Sequence, residues 1–333
     1  MINNPVPLMT SSAKIASTGA KFFVTRRPKL PADAKWYAKA AKPTEERELR
    51  AMFFGVATVA LTDGDTTLMF DGFFSRPGAA DVLFGKVAPN HPVIDAALNQ
   101  AEIESLAAVL VAHSHYDHAM DAPAVAWRTG AALVGSESTL NIGRGFGLPS
   151  EKLVEVDLAE PMKFGRFSVT SILSEHSPKP KFTGLIEGPL HVPTRVRNYR
   201  VGECYSFVVT HTSESGHVKR LLMHASAGFA PDCLRGQQAD VAFLGMAPIG
   251  KQPDAYRQEY WAQTVTMVGA RRVYPTHWDD FTRPLSQPLV PLPYIGDDFG
   301  VTLDFLTHKH DADGTEILIP QPFLPLDPFE DLP

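Results

Sequence analysis

Cysteine is nearly missing from this chain of 333 residues. Its two cysteines, Cys204 and Cys233, allow at most one bridge and form no zinc-ligand pattern, so they read as inert buried thiols. Long apolar runs are missing too. No stretch approaches the ~18 consecutive apolar residues of a membrane span. The N-terminal "MINNPVPLMTSSAKIASTGAKFF" holds no apolar segment fit to be a signal-peptide core. The default expectation is therefore a cytoplasmic protein, or a periplasmic one if a leader has been removed. Excess positive charge is lacking as well. A formal net charge of −6 argues mildly against general affinity for nucleic acid or anionic membrane. Short-period repeats and low-complexity tracts are also absent.

What is present fits a globular chain, with 44% hydrophobic and 20% charged residues. Residues 1–48 are polar and lack clean periodicity. They read as an extension that wraps the domain or joins a subunit contact, and residues 49–333 as a single domain. The 28 prolines concentrate in 178–193 and 284–328, which predicts ordered loops with little regular structure there. A homodimer contact is one use for such segments, though nothing in them requires it. The body opens on "LRAMFFGVATVALTDGDTTLMFDGFF", where apolar runs flank Asp63-Gly64, a hairpin signal because that dipeptide tolerates positive φ. "HPVIDAALNQAEI" has helical spacing and "LAAVLVA" reads as a buried strand. "MDAPAVAWRTG" reads as a short helix with Asp121 as N-cap, Pro123 in the first turn and Gly130 as its end. Further strands are expected at "AALVGS", "RFSVTSIL", "CYSFVVTH", "KRLLMHAS" and "ADVAFLGM". The helical "DAYRQEYWAQTVTMVGA" then precedes a last strand, "RRVYPTH". A strand meander followed by strands alternating with helices suggests an α/β protein with two helix-covered sheets.

The chemistry concentrates in "HSHYDHAMD", residues 113–121, at the end of "LAAVLVA". Alternate side chains of an extended segment point the same way, so His113 and His115 can reach one metal. The turn into the next helix sends Asp117 and His118 toward a neighbouring point. Imidazole and carboxylate are suitable zinc ligands, and three protein ligands with an open position describe a catalytic site.

Preceded by an apolar strand, "HSHYDH" resembles the signature of the metallo-β-lactamase superfamily, and the order of the remaining motifs is similar over roughly residues 52–285. "TTLMFDGFF" supplies Asp71, "FSVTSILSEHSP" supplies His176, and "RRVYPTHWDDF" supplies His277. The resemblance implies an αββα sandwich of two mixed sheets flanked by helices, with metals at one edge. It implies His113, His115 and His176 as one metal site, Asp117, His118 and His277 as a second, and Asp71 as a residue steadying them. The spellings "HSHYDHAMD" and "DGFFSRP" are also similar to the branch that includes chlorothalonil hydrolytic dehalogenase, which replaces an aromatic chlorine by hydroxyl using zinc.

The pattern departs from the family at one place. A glycine-aspartate pair usually supplies a carboxylate bridging both metals, but "LLMHASAGFAPD" places Ser226 there. Two adjacent dications repel, and bridging anions reduce that cost. One Zn2+ is therefore expected and a second left open. A lone metal should favour Asp117, His118 and His277, although three neutral histidines also make a good zinc site. Asp232 and His224 are available as substitute ligands, with ordinary structural roles the expectation.

The implied activity is hydrolysis of a small molecule by metal-activated water, with Asp117 and Ser226 orienting or deprotonating that water. Phe73, Phe74, Tyr116, Trp278 and Phe281 are expected to line an apolar mouth suited to a neutral or aromatic substrate. Trp261 reads as core. The loop 177–203 is a lid or a dimer contact, and its Arg195, Arg197 and Arg200 read as an exposed run. Aryl dehalogenation is the alternative reading. A zinc-dependent nuclease is weaker, since no basic groove-like run is present.

Overall fold

In the computed structural model, residues 26–42 and 49–332 are described. Strands β1 (Arg50–Gly55), β2 (Thr58–Thr62) and β3 (Thr67–Phe70) form an antiparallel meander. The expected Asp63-Gly64 turn joins β2 to β3. Gly64 takes φ +84°, and Asp63 Oδ1 accepts the backbone N–H groups of Asp65 and Thr66. An earlier reversal, where Gly55 sits at φ +100°, divides the preceding apolar run into two strands.

The chain then changes to parallel pairing. β4 (Ala108–Leu110), β5 (Ala132–Gly135) and β6 (Leu153–Glu155) add to β3 in order. Helices α1 (Ala79–Phe84), α2 (His91–Gln100), α3 (Tyr116–Ala119), α4 (Ala122–Thr129) and α5 (Glu137–Phe146) connect them. The second half repeats this scheme. β7 (Met162–Phe164), β8 (Phe167–Ser174), β9 (Cys204–Thr212) and β10 (Val218–His224) form a meander. β11 (Val241–Gly245), β12 (Arg272–Thr276) and β13 (Glu316–Ile317) then pair in parallel, with α6 (Asp254–Trp261) and α7 (Phe299–Asp313) as crossovers. β14 (Pro325–Leu326) returns to β1, so among the described residues each sheet has seven strands.

Period-2 alternation decides which side chains meet. Phe53, Leu68, Phe70 and Leu110 face Phe167, Phe207, Leu221 and Phe243 between the sheets. Their strand neighbours turn outward, Met69 and Val109 toward the helices of one face, Leu222 and Leu244 toward those of the other. The result is the expected αββα sandwich.

Two local expectations change. Gly130, at φ +73°, ends α4 as expected, but the side chain of Asp121 does not cap it. It accepts instead from the backbone N–H groups of Phe74 and Ser75 and from the Ser75 hydroxyl, at 2.6–2.8 Å. The proline-rich 284–328 was expected to lack regular structure, yet α7 runs for 15 residues within it. Prolines flank that stretch without entering it, and Asp298 and Gly314 cap its ends. The proline-rich 178–193, by contrast, carries no helix or strand. Of the N-terminal extension, residues 26–42 lie along the body. Arg27 pairs with Asp280 at 3.0 Å and Tyr37 bridges to Ile319. The remainder of that expected segment falls outside the described residues. Among those described, no helix is long and apolar enough to cross a membrane.

Candidate metal centre

Each donor singled out in the sequence lies just beyond the C-terminal end of a strand: Asp71 after β3, the 113–118 cluster after β4, His176 after β8, Ser226 after β10 and His277 after β12. Parallel and register-matched strands end at one edge of the sandwich, so residues far apart in sequence meet there.

His113, His115 and His176 form a near-equilateral group, with ring centroids 4.7–4.9 Å apart and planes 76–83° to one another. Asp117, His118 and His277 form the second group, and within each group the ligand atoms lie within 4.8 Å of one another. The His113 and His118 ring centroids are 3.9 Å apart, which places the two groups side by side.

The donors fit a zinc ion. In the second group the ligand-atom separations are 3.1, 3.4 and 3.7 Å. A tetrahedron drawn with zinc–ligand distances of ~2.0–2.1 Å has edges of ~3.3–3.4 Å, close to their mean. Tautomers agree as well. His118 Nδ1 is 2.7 Å from Asp71 Oδ2, so Nδ1–H donates to the carboxylate and Nε2 keeps its lone pair for the site. Asp71 Oδ1 also accepts from the Ala112 backbone at 2.9 Å, and Asp71 itself adopts φ +62°. In the first group, His115 Nε2 donates to the Lys181 carbonyl at 2.9 Å, leaving Nδ1 for the site. His113 Nε2 is buried without any hydrogen-bond partner.

Burial drives the histidines of the first group toward the neutral form that a metal requires. It holds His113 well below its ordinary pKa, lowers His115, and brings His176 to about 3, with repulsion among the rings adding to the effect. In the second group burial is overridden by charge. It would raise Asp117, but His118 and His277 hold that carboxyl well below the usual carboxylate range. Burial would likewise lower His118, yet Asp71 and Asp117 raise it.

Ser226 lines the same cavity, and its Oγ lies 3.5 Å from His113 Nδ1. The two candidate substitute ligands take structural roles. Both ring nitrogens of His224 are engaged, by Ser206 Oγ and the Gly228 carbonyl at 2.7 Å each, while Asp232 pairs with Arg235 on the surface. Gly228 is needed where it stands, since a Cβ there would lie 1.8 Å from the His176 carbonyl oxygen.

A cavity of about 290 Å3 opens on both groups. Tyr116 and Phe281 line it, joined by Phe182, Leu292 and Pro248. Phe73, Phe74 and Trp278 do not. Phe73 and Phe74 are fully buried under α4 because the loop after β3 turns inward to Asp121. Trp278 is 2% exposed, stacks on Phe299 and donates to the Pro275 carbonyl. Trp261 is core, as expected. Arg195, Arg197 and Arg200 are exposed, while residues 177–182 of the same loop form a wall of the cavity. Cys204 and Cys233 are free thiols.

One supporting contact was not foreseen. Arg76 and Asp279 form an ion pair at 2.6 Å with both side chains fully buried. Asp279 Oδ1 also accepts from Val56 N–H at 2.7 Å, and the Val56 carbonyl accepts from His277 N–H at 2.6 Å. The pair thereby fixes His277, whose backbone is left-handed at φ +53°. "SRPG" and "HWDDF" each contain one half, and nothing in either spelling announces the other.

A model of the beta-lactamase superfamily domain matches residues 66–278, more than half of the chain. The UPF0173 metal-dependent hydrolase of Chloroflexus aurantiacus is 23% identical over 245 residues, which cover 73% of this chain and 93% of that protein. A solved structure described as a possible metal-dependent hydrolase from Veillonella parvula aligns with TM-score 0.53 and 12% identity over 84% of this chain and 99% of its own. The matched stretch contains both donor groups and Asp71, and on that match the chain belongs to the beta-lactamase superfamily, with the metallo-β-lactamase fold.

Proposed function

We propose that this metal-dependent hydrolase uses zinc to hydrolyse a small molecule with an apolar or aromatic part. The carrying observation is the convergence of two donor triads at the mouth of one cavity, with the His118 tautomer set by Asp71. Histidine and carboxylate donors at tetrahedral spacing favour zinc over magnesium or calcium, which take oxygen ligands. The group containing Asp117 fills first, because it alone carries a carboxylate, with Asp71 behind it. The three-histidine group holds the weaker second ion.

Zinc held by these residues would supply a water activated for attack near neutrality and a Lewis acid for the bond that breaks. The protein's own residues then place the reactants. Asp117, kept ionised, accepts a hydrogen bond from the attacking water, and Ser226 holds it from the His113 side. Tyr116, Phe281 and Leu292 pack the apolar part of the substrate. The cavity volume suits a small ligand rather than a nucleic-acid strand. Hydrolytic removal of an aryl halide remains within this reading, since Tyr116, Phe182 and Phe281 can pack an aromatic ring.

Elemental analysis of the wild type, Asp117→Ala and His113→Ala tests the metal assignment. Zinc lost at the tight position in Asp117→Ala but kept in His113→Ala supports the order of filling, and a metal-free wild type after zinc loading overturns the proposal. Turnover of generic esters, lactones and chloroarenes, with and without a chelator, tests the reaction class.

A further inference from the structure

We infer that the cavity wall Ser177–Phe182 is the positioning element of the three-histidine site, so that the wall meeting the substrate also controls occupancy by the second metal ion. This rests on the assignment of the two triads above. Two of that site's three ligands make a hydrogen bond to this stretch with the ring nitrogen that faces away from the site. Ser177 Oγ lies 2.9 Å from His176 Nδ1, which as the N–H tautomer leaves Nε2 free for the site. The Lys181 carbonyl accepts from His115 Nε2 at 2.9 Å, which leaves Nδ1 free.

The stretch is braced for that task. Its far end is fixed to the motif itself: Phe182 O accepts from Val201 N–H, and Val201 O accepts from the N–H of Ser114, the residue between two ligands, both at 2.9 Å. Lys179 and Phe182 adopt φ values of +55° and +51°, and Lys179 does so between two prolines. A non-glycine residue in this region persists only where its surroundings hold it. Ser177, only 7% exposed, is packed at the start of this brace. In the Asp117 group, by contrast, His118 takes its tautomer from Asp71, which follows β3. The two metal positions are thus supported by different parts of the chain, one by the sheet edge and one by the substrate wall.

The test is zinc affinity, measured for both equivalents by chelator competition on the full chain. Variants are Ser177→Ala, Ser177→Thr and His113→Ala, with thermal unfolding as a fold control. Ser177→Ala should weaken, by about 10–100-fold, the equivalent that His113→Ala abolishes, leaving the tighter one unchanged. Ser177→Thr, which keeps the hydroxyl, should restore it. A wild type binding two ions whose Ser177→Ala variant binds both with unchanged affinity overturns this inference alone. A wild type that never binds a second ion overturns the two-metal assignment and the inference with it. Equal weakening of both equivalents also overturns it, because a general loss of packing would have that effect.

Discussion

Asp279→Asn removes one charge and almost no volume, two residues beyond the candidate ligand His277. The carboxylate it replaces sits 2.6 Å from Arg76 Nη2, with neither side chain exposed. Removing one partner of such a pair leaves the other charge buried without compensation, at a cost of ~3–5 kcal/mol. Folded domains have a total stability of only ~5–15 kcal/mol, so the effect is large. Arg76→Met should cost a similar amount. The double variant should cost clearly less than the sum of the two, since it leaves no unpaired charge. The measurement is guanidinium unfolding of the zinc-stripped proteins, because bound zinc would add its own stabilisation to each curve. Zinc affinity at the tight position should fall in Asp279→Asn, because the Val56 contact that sets the His277 backbone passes through this carboxylate. A loss below about 1 kcal/mol in either single variant, or strict additivity in the double, would refute the reasoning.

Three other outcomes are expected. Asp71→Asn should weaken tight zinc binding by about 10–100-fold in the same competition assay. Burial lifts the Asp297 carboxyl to about 7, above its unfolded value, so the folded chain holds a proton that the unfolded chain has released. Stability should therefore fall as pH rises from about 4 to about 7, and Asp297→Asn should flatten that slope by ~2 kcal/mol or more in unfolding titrations across the window. Phe73→Ala should cost ~3–5 kcal/mol of stability as a core truncation, whereas Phe281→Ala should chiefly raise KM for whichever substrate is identified.

The candidate donor set was legible because its spacing is local: four donors fall within six residues, and each of the others ends an apolar strand. Burial of the aromatics was not, because Phe73 and Phe281 occupy similar sequence contexts and differ only in which way the following loop turns. That turn depends on Asp121, some 47 residues away, accepting backbone N–H groups that no local pattern reveals. Helix α5 was hidden for a different reason. Gly143 and Gly145 dilute its helical signal, yet a Cβ at Gly143 would lie 2.6 Å from Leu153 and one at Gly145 would lie 2.1 Å from the Leu190 carbonyl. Both glycines are there for close packing, which overrides propensity. The two halves also share a meander-then-parallel scheme that appears in the strand order but not as a sequence repeat.

Strand β14 pairs with β1, about 270 residues earlier in the chain. During synthesis at ~5–20 residues per second, β1 therefore waits tens of seconds for its outer neighbour. Throughout that interval the nascent first sheet carries an unpaired edge beside apolar residues such as Phe53, open to wrong partners. Ribosome-bound chains stalled before Pro325 should accordingly recruit chaperones at β1, and emergence of β14 should end that dependence.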